Sequence, residues 1–459
     1  MRLRILLCVL PLLLTGCVYE DATDEKKTGT TDSVGSAASQ DDISVPDAGE
    51  TTYEAAELEK LRRDASWRAI AERDRAARAA ALARRPSPDQ TSDLTSSLEP
   101  PPAPSPSDTE AGAPVAQQPG RVPASPESFD QITPDTLSLQ PHFPVARDGG
   151  GPTILRAQIL LDRARFSPGV IDGNWGQNTE KAIFWFQNAH NLQATGEIDR
   201  PTWDALTQAA GRSEPLRHLT LTEQDLRGPF VDLPDDVYAR AKLDCLCYES
   251  PLEMLAERSH STPDLLRQLN PQADFDRLAP GEAIWTPNVT DVLAQQASGT
   301  ETGATPAANP AGGATPRPSG SAVGEIVISK KGYYLQALDG AGNILYHFPS
   351  TLGSKYDPSP SSGDYKITSI LPRPEFHYQP ALMADVPDTK ENAQLPPGPN
   401  SPVGLVWMQL SKPHNGIHGT AVPETIGYAS SHGCVRLTNW DAVFLSEQVR
   451  PGVRVRFVE

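Results

Sequence analysis

The spacing of apolar residues predicts a compact helical module in the middle of the chain. Between residues 152 and 212, apolar side chains recur at helical intervals on both sides of a Gly-rich turn, first at Ile154, Ala157 and Leu160. A third short helix is predicted to begin near Pro201, because proline is favoured in the first turn of a helix. We therefore expect a small three-helix domain here.

From residue 324 to the C-terminus the pattern changes to short runs typical of β-strands. The stretch GEIVISKKGYYLQALDGAGNILYHF predicts three strands with a turn at Asp339-Gly340. A long loop region is expected at 371–402, and a helix from about residue 439 to 449 precedes a last strand. Residues 324–459 are thus predicted to form a mostly β domain with one or two helices.

Residues 216–290 follow a less regular pattern and leave two interpretations open. A capping-box start, Ser-x-x-Glu, precedes a helical stripe at Leu252 and Leu255, and a short strand is predicted near Ile284. With the CLCY segment as the first strand, this order resembles a LysM-type glycan-binding motif. The alternative is a spacer domain packed between its neighbours.

Composition separates these modules from their connectors. The 459 residues include 45 Pro and 34 Gly, and the prolines are clustered. Residues 18–150 are predicted to be a disordered tether, with a charged helix at about 53–85 followed by a Pro-rich spacer, and residues 295–323 a flexible linker. The net charge of −18 argues against nucleic acid as a partner.

Residues 1–17 have the pattern of an export signal. Two arginines precede the apolar run 5–14, which is about half as long as the roughly 20 residues a membrane-spanning helix needs. The end of this segment, LTGC, resembles the bacterial lipobox, which implies lipidation of Cys17 and a membrane anchor. By the sorting rule of Gram-negative lipoproteins, Val18 implies a periplasmic protein on the outer membrane. An ordinary signal peptide ending in cysteine is the alternative.

The five cysteines fall into separate environments. Cys8 and Cys17 belong to the export signal. Cys245 and Cys247 form a C-x-C pair, which we expect to be buried thiols because a bridge would close a very small ring. Cys434 has no second cysteine in its predicted domain, which disfavours a structural disulfide there.

Three histidines share a short stretch with Cys434, in HNGIHGTAVPETIGYASSHGC. His414 and His418 have the i, i+4 spacing of two metal ligands on a helix, but the glycines around them are poor helix formers. A zinc site that also uses His432 and Cys434 stays open as an alternative, as does an inert buried thiol.

Nucleophilic catalysis explains this cluster best. A neighbouring imidazole can activate a thiol, whose ordinary pKa is about 8.5. Acyl transfer also needs a group that orients the base and N–H donors for an oxyanion. Gly433, directly before Cys434, permits the tight backbone turn that would direct N–H groups to one point.

Three segments, IHGT at 417–420, Ile426-Gly427 and SHGCVRL at 431–437, resemble the active-site signature of the L,D-transpeptidases, the YkuD domain. The resemblance covers nearly all of 324–459 and implies a β-sandwich with short helices. It implies that Cys434 is the nucleophile and His418 the general base, oriented by the backbone carbonyl of Gly419. It implies no cofactor and no metal.

The same resemblance implies residues for the oxyanion and the substrate, namely Ser431, His432, Gly433, Arg436, His377 and Tyr378. His414 is outside the family pattern, and we expect it to be a bystander. The implied donor is a peptidoglycan tetrapeptide stem. The acceptor would be an amine of another stem, a wall-anchored lipoprotein, or water. A non-catalytic wall-binding lipoprotein is the alternative of a different class.

The helical module at 152–212 resembles the type 1 peptidoglycan-binding domain. Its matching residues include VIDG at 170–173, Trp175-Gly176, Phe186-Gln187 and Thr202-Trp203. The resemblance implies peptidoglycan as a partner. Asp172, Asn174 and Trp175 in the turn are the candidate contacts, whereas Phe186 and Trp203 are expected in the helical core.

Overall fold

The computed structural model describes most of the chain from residue 128 onward. The described residues are 128–138, 140–145, 147, 149–211, 213–293, 322–354, 358–383 and 389–459, together with 72, 73, 75 and 76. The signal peptide with Cys17, nearly all of the predicted helix at 53–85 and most of the linker at 295–323 lie outside them. In these described parts, no helix is long and apolar enough to cross a membrane.

The helical module contains the three predicted helices, α1 (Pro152–Arg163), α2 (Gln177–Ala189) and α3 (Arg200–Ala209). Helix α3 begins where the side chain of Asp199 accepts a hydrogen bond from the backbone N–H of Thr202. Phe186 and Trp203 are buried in the core of the helical module, as expected.

The predicted spacer ends earlier than residue 150. Two short 3-10 turns, Phe129–Gln131 and Thr136–Ser138, lie within it. Ile132 and Leu137 are buried in one cluster with Leu155 of α1. A few apolar residues in a polar stretch show no periodicity, so the pattern did not reveal this contact.

The module at 216–290 has a β-α-α-α-β order, with a long connection after its first strand that contains the short first helix. Its elements are β1 (Leu216–Thr220), α4 (Val237–Arg240), α5 (Pro251–Arg258), α6 (Pro263–Leu269) and β2 (Ala283–Pro287). The two strands are antiparallel, with Leu216 opposite Pro287. The strand–helix order of the predicted glycan-binding motif is therefore present, but glycan binding stays a prediction.

The CLCY segment was wrongly predicted to be the first strand of this module. Its central residue, Leu246, is fully buried and pairs with another module. The Leu246 N–H donates to the carbonyl of Pro397, and its own carbonyl accepts from the N–H of Asn400. The pattern that suggested a strand instead reflects the burial of Leu246 against the C-terminal domain.

The expectation of two buried thiols at the C-x-C pair was also wrong. Cys245 and Cys247 are half-buried and joined by a disulfide. Their Cα atoms are 5.2 Å apart, a distance that a disulfide commonly spans.

The C-terminal domain is mostly β, as predicted, and consists of one large sheet with smaller strand pairs. The strands are β3 (Glu325–Ser329), β4 (Tyr334–Leu338), β5 (Ile344–Pro349), β6 (Leu352–Gly353), β7 (Gly363–Pro372), β8 (Phe376–Tyr378), β9 (Ala393–Leu395), β10 (Val406–Leu410), β11 (Gly416–His418), β12 (Ser430–Ser431), β13 (Val435–Arg436) and β14 (Arg454–Val458). Eight of them form the large sheet, in the order β13-β11-β10-β7-β14-β3-β4-β5. The helix α7 (Asn439–Gln448) follows β13.

Strand β7 connects the two halves of the large sheet. Its residues 363–366 pair with β14, and its residues 367–372 pair with β10. Two parallel pairs, β14 with β3 and β11 with β13, complete the arrangement. The second parallel pair brings distant parts of the predicted signature side by side.

All three modules meet at the start of α7 through buried polar groups. Asp162 of α1 lies 2.8 Å from the Nδ1 atom of His260, whose ring stacks on Trp440 at 5.0 Å between centroids. The Ser167 hydroxyl donates to Asp441 at 2.7 Å. Burial, and next the charge of Asp162, raises the pKa of Asp441 to about 7. The modules at 152–212 and 216–290 are therefore packed against the C-terminal domain.

Candidate active site

A groove of about 1010 Å³ crosses the C-terminal domain where β10, β11 and β13 lie together. His418, Cys434 and Arg436 line it. Several other lining side chains are apolar, including Leu371 and Leu382, which are each 52% exposed. The groove therefore combines reactive groups with an exposed apolar surface.

His418 is the last residue of β11, and its ring is held on two sides. Its Nδ1 atom is 2.6 Å from the carbonyl oxygen of Gly419, so Nδ1 carries the proton and donates it, which leaves Nε2 as an acceptor. Trp407, its register partner on β10, stacks on the imidazole at 5.3 Å with 20° between the planes. Burial, and next the charge of Arg436, lowers the pKa of His418 to about 3, so the imidazole is neutral near pH 7.

Cys434 stands directly before β13. Because Ile417 pairs with Val435 in the parallel register, the thiol enters the groove beside the strand that carries His418. The sulfur is 3.7 Å from the carbonyl oxygen of His414, to which it donates. Burial raises the pKa of the Cys434 thiol, although a backbone hydrogen bond with Gly416 and nearby positive charges act in the opposite direction.

A neutral thiol and a neutral imidazole are a suitable pair for general-base catalysis. The imidazole has its proton on Nδ1, so Nε2 can accept the thiol proton as sulfur attacks a carbonyl. The positive charge of Arg436, which is buried next to both groups, favours the developing negative charge. The arrangement can therefore transfer an acyl group without a preformed ion pair.

The residues before Cys434 form a supported turn. The Ser431 hydroxyl donates to the carbonyl of Cys434 at 2.6 Å. Gly433 has a φ of +102°, a conformation that residues with a side chain rarely adopt. His432 lines the groove. Ser431, His432 and Arg436 thus line the same groove as Cys434, with Gly433 in the same turn, and their roles toward an oxyanion or a substrate stay a prediction.

The two predicted groove residues on β8 lie on opposite faces. His377 is exposed and lines the groove. Tyr378 is buried with Val237 and Leu246 of the neighbouring module and does not line the groove. Because successive side chains of a strand point to opposite faces, one of the pair had to turn away from the substrate side.

Two contacts at the site were missing from the prediction. His414, expected to be a bystander, lines the groove and accepts the thiol hydrogen through its backbone carbonyl. A backbone atom is present in every residue type, so no residue pattern marks it. Trp407 had no predicted role, because its stacking on His418 follows only from the pairing register of β10 and β11.

Asn439, the first residue of α7, packs against the peptide that orients the base. A Cβ atom added at Gly419 would lie 2.0 Å from Oδ1 of Asn439. Gly419 is followed by Thr420 in the motif, and only a residue without a side chain leaves room for the amide. The glycine in the motif is explained by this close approach.

Gly419→Ala is expected to destabilise the protein by about 1–3 kcal/mol, because the added methyl group must displace the buried Asn439 amide. Chemical denaturation of the purified chain measures the free energy of unfolding. Gly340→Ala is the matched control, since nothing lies within 4 Å of its added Cβ. Equal stabilities of the two variants would contradict the proposed contact.

The candidate peptidoglycan contacts lie at a second, smaller cleft. Asp172, Asn174 and Trp175 line it together with four of the residues at 423–428 of the C-terminal domain. The Asp172 carboxylate accepts hydrogen bonds from the Gln158 side chain and the Asn174 N–H, both at 2.9 Å. Asp172 therefore holds the turn together, and contact with a ligand stays a prediction.

Metal ligands do not cluster in the part of the chain that the structure describes. No group of three or more His, Cys, Asp or Glu residues there could hold a metal ion.

Comparison with known families assigns two segments. Residues 324–456 match the L,D-transpeptidase catalytic domain (YkuD), and residues 150–206 match the model named "Putative peptidoglycan binding domain". The chain is 49% identical over 59 residues to the "Putative L,D-transpeptidase YkuD" of Bacillus licheniformis, which is 13% of this chain and 36% of that protein. It is 45% identical over 67 residues to the "Probable L,D-transpeptidase YbiS" of Escherichia coli, 15% of this chain and 22% of that protein. The matched segments thus span about a third or less of these relatives.

Solved structures with similar regions include two L,D-transpeptidases. The one from Xylanimonas cellulosilytica (residues 123–326) is 14% identical, with 70% of this chain and 100% of that chain covered and a TM-score of 0.29. L,D-transpeptidase 3 from Mycobacterium tuberculosis, in complex with a faropenem-derived adduct, is 19% identical, with 30% and 61% covered and a TM-score of 0.24.

Proposed function

We propose that this chain, which carries an L,D-transpeptidase catalytic domain at residues 324–456, is a peptidoglycan L,D-transpeptidase that works through a Cys434 acyl-enzyme. One observation carries the proposal. The neutral imidazole of His418, at the end of β11, and the thiol of Cys434, directly before the adjacent parallel strand β13, line the same groove, and Gly419 orients the base.

In the first step, the Cys434 sulfur attacks the carbonyl of the diamino acid at position three of a tetrapeptide stem. Nε2 of His418 takes the thiol proton. When the tetrahedral intermediate collapses, the bond to the terminal D-Ala breaks, and the proton passes from His418 to the leaving amine. Backbone N–H groups at the Gly433 turn, with the charge of Arg436, would stabilise the oxyanion. The product is a thioester and free D-Ala.

In the second step, an amine resolves the thioester. An incoming amino group of a neighbouring stem loses a proton to His418 and attacks the thioester carbonyl. The new amide is a 3→3 cross-link, and the thiol regains its proton. With an amine of a wall-anchored lipoprotein, the same step would attach that protein to the wall, and with water it would be hydrolysis.

The other segments would keep the catalytic domain close to the wall. The match of residues 150–206 to a putative peptidoglycan-binding domain supports peptidoglycan as a partner, and two domains directed at the cell wall support a location outside the cytoplasm. A lipid on Cys17 would anchor the chain to the outer membrane, on its periplasmic side. Such tethering raises the local concentration of the domain at an insoluble polymer.

The test incubates the purified chain with a disaccharide tetrapeptide and follows the products by liquid chromatography and mass spectrometry. We expect release of D-Ala and a dimer joined through position three. The matched substrate is a disaccharide tripeptide, which lacks the bond to be broken and is expected to serve only as an acceptor. Tripeptide alone as the product would show a carboxypeptidase, and unchanged tetrapeptide would contradict the proposal.

A further inference from the structure

A buried carboxyl group of the module at 216–290 reaches the C-terminal domain behind the candidate base. Glu257, the penultimate residue of α5, is only 9% exposed. Its Oε1 atom accepts a hydrogen bond from Nδ2 of Asn439 at 2.7 Å. Glu257 lies between the two segments that match known domain families, since the first ends at residue 206 and the second begins at residue 324.

Asn439 transmits this contact to the peptide that orients His418. Its Nδ2 also donates to the carbonyl of Pro399 at 3.1 Å, and its Oδ1 accepts from the N–H of Leu405 at 3.0 Å. The same Oδ1 lies against Gly419, where an added Cβ would come within 2.0 Å. The Gly419 carbonyl in turn accepts from Nδ1 of His418. A continuous series of contacts therefore joins Glu257 to the imidazole.

Helix α5 is itself fixed to the C-terminal domain, so the Glu257 carboxyl has a defined position. One turn earlier on the same helix, Glu253 accepts from Nδ2 of Asn400 at 2.7 Å. The Ser250 side chain caps the helix by accepting from the N–H of Glu253. The backbone before this helix also lies against the C-terminal domain, since a Cβ atom added at Gly398 would lie 1.9 Å from the carbonyl oxygen of Leu246.

We propose that Glu257 is a positioning residue for His418, acting through Asn439 and the Gly419 peptide. Without the Glu257 acceptor, the buried Asn439 amide loses one of its three hydrogen bonds, and its plane is free to turn. The Gly419 carbonyl would then shift, and the imidazole would present Nε2 to the thiol less often. The module at 216–290 thereby contributes to catalysis, a conclusion that rests on the proposed function for the role of His418.

The chemistry of the Glu257 site favours an acceptor over a charge. Burial raises the pKa of Glu257 to about 7, while hydrogen bonds with Tyr248 and Asn439 act in the opposite direction and the charges of Glu253 and Glu424 add to the rise. A carboxylic acid keeps a carbonyl oxygen that can accept from Asn439. Glutamine has the same oxygen at the same position, so it is the conservative replacement.

The experiment compares Glu257→Met and Glu257→Ala, which lack the acceptor, with Glu257→Gln, which keeps it. We expect kcat on the tetrapeptide to fall about tenfold in the first two, with KM unchanged, and to return to near the wild-type value in Glu257→Gln. Ser167→Ala is the matched control. It removes a different hydrogen bond between two modules, the one that Ser167 donates to Asp441 of the same helix α7. Melting temperatures identify any variant that does not fold, and one folded acceptor-free variant is sufficient.

A second measurement does not depend on turnover. In protein labelled with 15N-histidine, the hydrogen-bonded Nδ1–H of His418 is assigned by its loss in His418→Ala. We expect this signal to shift or broaden in Glu257→Met and to remain in Glu257→Gln and Ser167→Ala. If the chain has no transpeptidase activity, this result still decides the positioning role. An unchanged signal in a folded acceptor-free variant, or an equal change in Glu257→Gln, would overturn it.

Discussion

Cys434→Ala is expected to abolish acyl transfer, with turnover of the tetrapeptide lowered by at least about 10³-fold. The thiol is the only free cysteine among the described residues, because Cys245 and Cys247 are bonded to each other. No other described cysteine can therefore form the thioester. Stability should change little, since the Cys434 side chain is only half-buried.

The covalent step can be observed directly with an acylating β-lactam such as faropenem. Intact mass spectrometry of the wild type should show one added drug-derived acyl group, and Cys434→Ala should show none. Cys434→Ser is the matched control, because it replaces the thiol with a hydroxyl of similar size at the same place in the turn that Ser431 supports. An equal adduct on wild type and Cys434→Ala would place the nucleophile elsewhere and refute the assignment.

The two regions with strong periodicity were predicted well. The helices of the module at 152–212 follow from apolar residues at helical spacing, and the β domain follows from short alternating runs. The CLCY segment and the end of the spacer were not, because Leu246 and Ile132 are buried by partners far away in the chain. An isolated apolar residue carries no information about which distant module will cover it.

The site divides in the same way. His418 and Cys434 lie within one short motif, and the resemblance of that motif to the L,D-transpeptidase signature implies the roles proposed for them. Glu257 is 182 positions from Asn439, and only packing of two modules brings them together. Tyr378 was placed on the wrong face because the pairing of β8 with β9 sets which residues face the groove.

His418→Ala is expected to lower the rate of Cys434 acylation about 10²–10⁴-fold near neutral pH, the usual contribution of a general base. Because the pKa of His418 is lowered to about 3, the wild type keeps its base unprotonated throughout pH 5–8. Without the imidazole, attack requires free thiolate. The thiolate fraction rises tenfold per pH unit, because burial raises the thiol pKa above this range. The ratio of wild-type to variant rates should therefore fall about tenfold with each unit of pH.

Measuring acylation rates from pH 5 to 8 for both proteins tests this mechanism, and taking the ratio removes the effects of groups that they share. His142→Ala, at an exposed histidine outside the groove, is the matched control and should follow the wild type. The wild type should also lack the ultraviolet absorbance of a thiolate at pH 7, because both partners are neutral. A thiolate band that disappears in Cys434→Ala would instead indicate a preformed ion pair. That outcome would require a much higher pKa for His418 than its burial beside Arg436 allows.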